Sequence, residues 1–171
     1  NPMLIFIAIF IYLAATSEAR LAQLRGMSRG VPVTAAMMTE YKALSPSARI
    51  EEAIETLLRT SQTEFPVVDK DGRLVGVLGR SDMIKALKQD GPNTLIGNVM
   101  TREVPTIDHR RCLDEAFRIL LEKSAPAVGV VDAAGRLKGL ITSETVGEML
   151  MVRDAMPKGI RFGERARPAG A

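Results

Sequence analysis

The chain has 171 residues, a formal net charge of +3, one His, one Cys and no Trp. That length buries one domain core or two small ones in contact, and so weak a positive charge argues against a nucleic-acid partner. A lone Cys excludes an internal disulfide, and a lone His excludes a histidine-based metal centre.

The chain opens Asn-Pro rather than Met, which is expected of a fragment. The apolar run LIFIAIFIYLAA, residues 4–15, comes next. As a helix it would span about 18 Å, short of a hydrocarbon core of about 30 Å. No basic segment precedes it, so it does not read as a signal peptide. Three readings stay open: the end of a truncated transmembrane helix, an amphipathic or oligomer-forming helix, or a buried helix. In the first, Tyr12 would sit at the interface. Arg20, Arg25 and Arg29 would then place the rest of the chain in the cytoplasm, beside an inner or plasma membrane.

From residue 31 the chain repeats itself. The first copy runs VTAAMMT (33–39), a short β-like piece (42–44), then SPSARIEEAIETLLRT. The second runs LIGNVMT (95–101), VPTI (104–107), then DHRRCLDEAFRILLEK. The apolar positions Ile50, Ala53, Ile54, Leu57 and Leu58 in one, and Leu113, Ala116, Phe117, Leu120 and Leu121 in the other, predict one buried helical face each. Ser45 and Asp108 are the expected N-caps. Cys112 is expected to pack or lie at the surface, and His109 to be solvated. Apolar strands ending in Asp come after the helices, FPVVD and VGVVD. Turns with Gly72 and Gly135 are next, then the strands LVGVLG and LKGLIT, then the helices SDMIKALKQ and SETVGEMLMV. Gly91-Pro92-Asn93 links the copies. From Met156 the pattern gives way to Pro, Gly and Arg, expected of a disordered tail.

Each unit is thus predicted to be β-α-β-β-α, an α/β (α+β) arrangement too small to be stable alone. Two should pack face to face with pseudo-two-fold symmetry and leave a crevice between them. The expected division is an apolar helix and linker (1–30), repeat one (31–90), repeat two (91–152) and a basic tail (153–171). No acid–base, nucleophilic or phosphate-loop constellation is visible, so the chain is not expected to be an enzyme.

The ordered, duplicated set, with its V-M-T opening, V-V-D-x-x-G core and G-h-h-x-x-x-D ending, resembles a CBS domain pair, or Bateman module. The resemblance implies a regulatory module, commonly a homodimer, that takes AMP, ATP or adenosine between its repeats. The ending reads G-h-h-[ST]-x-x-D in such pairs, its Asp accepting from both ribose hydroxyls. The first copy has Gly76, Gly79 and Asp82; the second has Gly139, Thr142 and Thr145. The resemblance therefore makes Asp82 the expected ribose ligand, with Gly79, Arg80, Thr142 and Ser143 as further site residues and the second copy's site serving packing. Helix capping by Asp82 is the alternative. Basic residues that would precede the first strand are replaced by Thr63 and Glu64, and by Pro126 and Ala127, which disfavours a phosphate.

The N-terminal segment looks like the end of a site-2 protease, an intramembrane zinc metalloprotease. That resemblance implies a membrane-attached, cytoplasmic module, with zinc and HExxH confined to a catalytic part absent from this chain. A freestanding CBS pair and the tail of a transporter are the alternatives.

Overall fold

The computed structural model describes residues 3–8, 11 and 30–156. Residues 3–8 and 11 are helical and their side chains exposed. No helix among the described residues is long and apolar enough to cross a membrane. The other residues of the apolar run and arginine linker, and the tail from residue 157, lie outside the described part.

After a 3-10 turn at Val33–Ala35 the elements are α1 (Ile50–Leu58), β1 (Glu64–Val68), β2 (Leu74–Gly79), α2 (Arg80–Gln89) and α3 (Ile96–Val99). Then come β3 (Thr106–Asp108), α4 (Leu113–Glu122), β4 (Val128–Val131), β5 (Leu137–Ile141) and α5 (Ser143–Ala155). The duplication is plain in the sheets. β1 pairs antiparallel with β2, and β4 with β5, each with one register shift at the end of its first strand. In the second copy β3 runs parallel to β4. In the first copy that strand shrinks to a single parallel bridge, Leu44 with Val67.

The hairpin turns explain why the Asp-x-x-Gly pattern recurs. Asp69 Oδ1 accepts from the backbone N–H groups of Asp71 and Arg73, both at 2.9 Å. Asp132 Oδ1 repeats this with Ala134 and Arg136. The glycines that close these turns, Gly72 and Gly135, have φ of +77°, which a Cβ would disfavour.

Three expectations need correction. Ser45 and Asp108 do not cap the helices: the N-caps are Arg49 and Cys112, four residues further on. Ser45 Oγ and Asp108 Oδ1 instead accept from the N–H two residues ahead, making side-chain turns that precede the helix. Leu58 is not part of the buried face. It is the last residue of α1 and is 80 % exposed, because the chain leaves the helix before anything packs there. Nor does Asp82 cap α2, whose N-cap is Gly79.

The two cores do not follow the order of the repeats. The opening of the first copy packs into the second: Val31, Val33 and Ala36 share a core with Leu113, Phe117 and Ile141. Leu113 N donates to Val31 O at 2.7 Å, and Met38 N to Leu140 O at 2.8 Å. The exchange is mutual. Ile96 and Met100 share a core with Ile50, Phe65 and Met83 of the first copy, and Thr101 N donates to Val77 O at 2.9 Å. A third cluster, Val77, Ala127, Leu137 and Leu140, lies between the copies. Burying each exchanged Val, Ile or Met contributes about 1.5–3 kcal/mol, so the exchanged openings bind the halves into one unit.

Candidate functional site

A cavity of about 700 Å³ opens where three segments meet. One wall is the crossing segment Met38, Glu40, Tyr41 and Lys42. The second is the loop from Thr60 to Glu64 that leads into β1. The third is the start of α5, with Thr142, Glu144, Thr145 and Glu148. The exchange of openings brings these together: Met38 is held on β5 of the second copy, while Glu64 belongs to the first.

Each wall is fixed by identifiable bonds. The Gln62 side chain clamps two walls, its Oε1 accepting from Lys42 N at 2.8 Å and its Nε2 donating to the Lys42 and Glu64 carbonyls. Tyr41 Oη donates to Leu137 O at 3.3 Å. At the third wall Thr142 and Thr145 close a reciprocal capping box. Thr145 N donates to Thr142 Oγ1 at 3.2 Å, and Thr142 N to Thr145 Oγ1 at 3.0 Å. This satisfies orphan groups of the first turn of α5 and accounts for Thr at position 145, where the first copy has Asp.

Electrostatically the cavity is acidic. Glu40, Glu64, Glu144 and Glu148 line it against the single ammonium of Lys42. Glu64 is half-buried, and its Oε2 is buried without a hydrogen-bond partner. Burial, and then the negative charge of Asp82, hold the Glu64 carboxyl above the usual carboxylate range.

Of the residues expected from sequence, the structure brings Thr142 into this cavity, where it is only 8 % exposed. Gly79 is buried and touches the cavity only through Glu64, which pairs with it across the hairpin. Asp82 is the exposed third residue of α2, Arg80 is exposed with its N–H on Thr63 O at 2.9 Å, and Ser143 is the exposed first residue of α5. None of these three lines the cavity. Sequence reasoning missed Tyr41, Gln62 and Glu148. The first lies two residues beyond the M-T opening and the second just before the strand, so the repeat itself pointed to both segments. Glu148, one turn into α5, carried no signal.

Family comparison agrees with the duplication and the geometry. The CBS domain model matches residues 31–89 and again 96–150. The chain belongs to the CBS domain family. Its CBS pair is 27 % identical over 149 residues to the chloroplastic CBS domain-containing protein CBSX1 of Arabidopsis thaliana, covering 68 % of this chain and 63 % of that protein. The chain thus spans less than two thirds of that relative's length. Among solved structures, CBSX2 of Arabidopsis thaliana in complex with AMP superposes with a TM-score of 0.62 at 27 % identity, over 73 % of this chain and 99 % of that one. The CBS domain pair of protein MJ0100, in complex with 5′-methylthioadenosine and S-adenosyl-L-methionine, gives 0.64 at 27 %, over 72 % and 98 %. Among the described residues no group of three His, Cys, Asp or Glu is placed to hold a metal ion.

Proposed function

We propose that this CBS pair is a regulatory module that takes an adenosine-type ligand in the cavity between its repeats. The observation that carries this is the cavity itself, built from both copies and framed by Tyr41, Gln62 and Thr142. The complexes of CBSX2 with AMP, and of the MJ0100 pair with 5′-methylthioadenosine and S-adenosyl-L-methionine, support the ligand class. A ligand touching both copies favours one arrangement of them and so can bias an attached partner.

The Asp82 side of the module is the second seat to be tested, favoured by the carboxylate that a ribose diol would meet. Calorimetric titration of the full chain with adenosine separates the two. Loss of binding in Ser61→Trp, which fills the cavity from an exposed rim position, with retention in Asp82→Ala, supports the cavity. The reverse pattern assigns the ligand to Asp82. No binding in the parent chain leaves a docking and dimerisation element.

We further propose attachment to an intramembrane metalloprotease, with the pair on the cytoplasmic side, on the strength of the apolar run of residues 4–15. A freestanding pair fits the fold equally well. An HExxH segment encoded upstream supports the first, a natural start near Asn1 in the gene supports the second, and many transmembrane spans without HExxH assign the pair to a transporter. Homodimer formation is checked by sedimentation.

A further inference from the structure

We infer that the cavity selects adenosine-type ligands by the charge at their 5′ end, preferring a cation and rejecting a phosphate. The inference rests on the proposed cavity reading and concerns which members of that ligand class bind.

Carboxylates stand on all three walls: Glu40 on the crossing segment, Glu64 at the start of β1, and Glu144 and Glu148 on α5. Lys42 is the one cationic lining residue. A space of 700 Å³ has a radius of only about 5.5 Å if rounded, so every part of a ligand lies within about a Debye length of these charges. Glu40, Glu144 and Glu148 are exposed, so added salt weakens their effect and the preference is largest at low ionic strength.

The N-terminus of α5 works the other way, since a helix start carries roughly half a positive charge. Glu144 already stands in its first turn, and Thr142 Oγ1 takes the Thr145 N–H. The remaining partial charge is outweighed by the carboxylates. Nor is the charge gathered for a metal ion, because no three acidic groups among the described residues come close enough to share one. The acidity is spread over the walls, which suits a diffuse organic cation such as an ammonium or sulfonium.

Glu64 is the least solvated of the four carboxylates. Its Oε2 is buried with no donor, and its pKa is pushed upward by burial and by Asp82. A nearby positive charge relieves both penalties, whereas a phosphate adds to them.

Four carboxylates against one ammonium around a cavity of this size correspond to about tenfold in affinity per unit of ligand charge. The test is titration of the full chain with 5′-amino-5′-deoxyadenosine, adenosine and AMP, at low salt and near pH 7. The expected order is the amine about tenfold tighter than adenosine, and adenosine at least tenfold tighter than AMP. In Glu148→Gln and Glu64→Gln the spread between amine and AMP narrows. AMP binding as tightly as adenosine, or an amine no tighter than adenosine, overturns the inference and leaves the cavity reading standing. No saturable binding by any of the three overturns the cavity reading, and the inference falls with it.

Discussion

The Glu64 carboxylate occupies the space over the α-carbon of Gly79. A Cβ built at position 79 would stand 3.0 Å from Glu64 Oε2 and 3.2 Å from Oε1. The two residues are direct partners across the β1–β2 hairpin. A side chain at 79 would therefore compete with the Glu64 carboxylate for one space. In the second copy the corresponding positions are Ala127 and Thr142, and there the small residue lies on the other strand.

Gly79→Ala tests that pairing. Its backbone is extended, so strain plays no part. With Glu64 present the new methyl must displace the carboxylate, and the substitution lowers stability. In a Glu64→Ala background only the part of the cost that comes from this contact is removed, and the N-cap cost of Ala remains. A double-mutant cycle by urea unfolding is expected to give a coupling of about 1 kcal/mol; additive effects would contradict the contact.

Glu64 also sets a pH dependence. Its folded pKa lies above the usual carboxylate range of about 4.3, so the protonated form is favoured by the fold. That contribution is fully present below about pH 4 and is lost as pH rises through the folded value. Glu64→Gln should therefore raise Tm more at pH 7.5 than at pH 5. Asp108 behaves oppositely: hydrogen bonds from Arg110 hold its carboxyl far below the usual range. Its contribution is present above about pH 4 and fades as pH falls, so Asp108→Asn should flatten only the acid limb. Thermal scans across pH check both.

The exchange of openings makes Gly139 and Gly76 close-approach positions. A Cβ at 139 would lie 2.8 Å from the Met38 carbonyl, and one at 76 would lie 2.9 Å from that of Thr101. Backbone atoms cannot swing aside as a carboxylate can. Gly139→Ala and Gly76→Ala should each cost about 2 kcal/mol or more, read as a shift in urea midpoint. A negligible effect at both would contradict the exchange.

Much of this arrangement was legible in the sequence because duplication doubles every signal. The apolar helix face (Ile50–Ala53, Leu113–Ala116), the Asp-x-x-Gly turn and the hairpin each appear twice at one spacing. The exchange was not legible. Val33 and Ile96 have the same apolar character whichever core receives them, and residue pattern specifies burial but not the partner. Leu58 misled for a related reason, since periodicity continues past the point where a helix stops. At the candidate site, Thr142 and Asp82 were both singled out by the ending motif, and the structure places Thr142 in the cavity and Asp82 on α2 outside its lining. What decides the cavity is which opening crosses to which hairpin, a fact of topology.

Thr145 holds the start of α5 through its hydroxyl. Replacing it by Val removes the group that receives the Thr142 N–H and donates to the Thr142 carbonyl at 3.1 Å. A loss of about 1 kcal/mol is expected, with amide exchange accelerated in the first turn of α5 and unchanged in α2.

The most direct test of the central claim is a crystal structure of the full chain grown with adenosine. The nucleoside is expected between Tyr41, the Thr60–Glu64 loop and the start of α5, in contact with both copies. Adenosine seated instead on Asp82 and Gly79, or an empty cavity at saturating ligand, would contradict the claim.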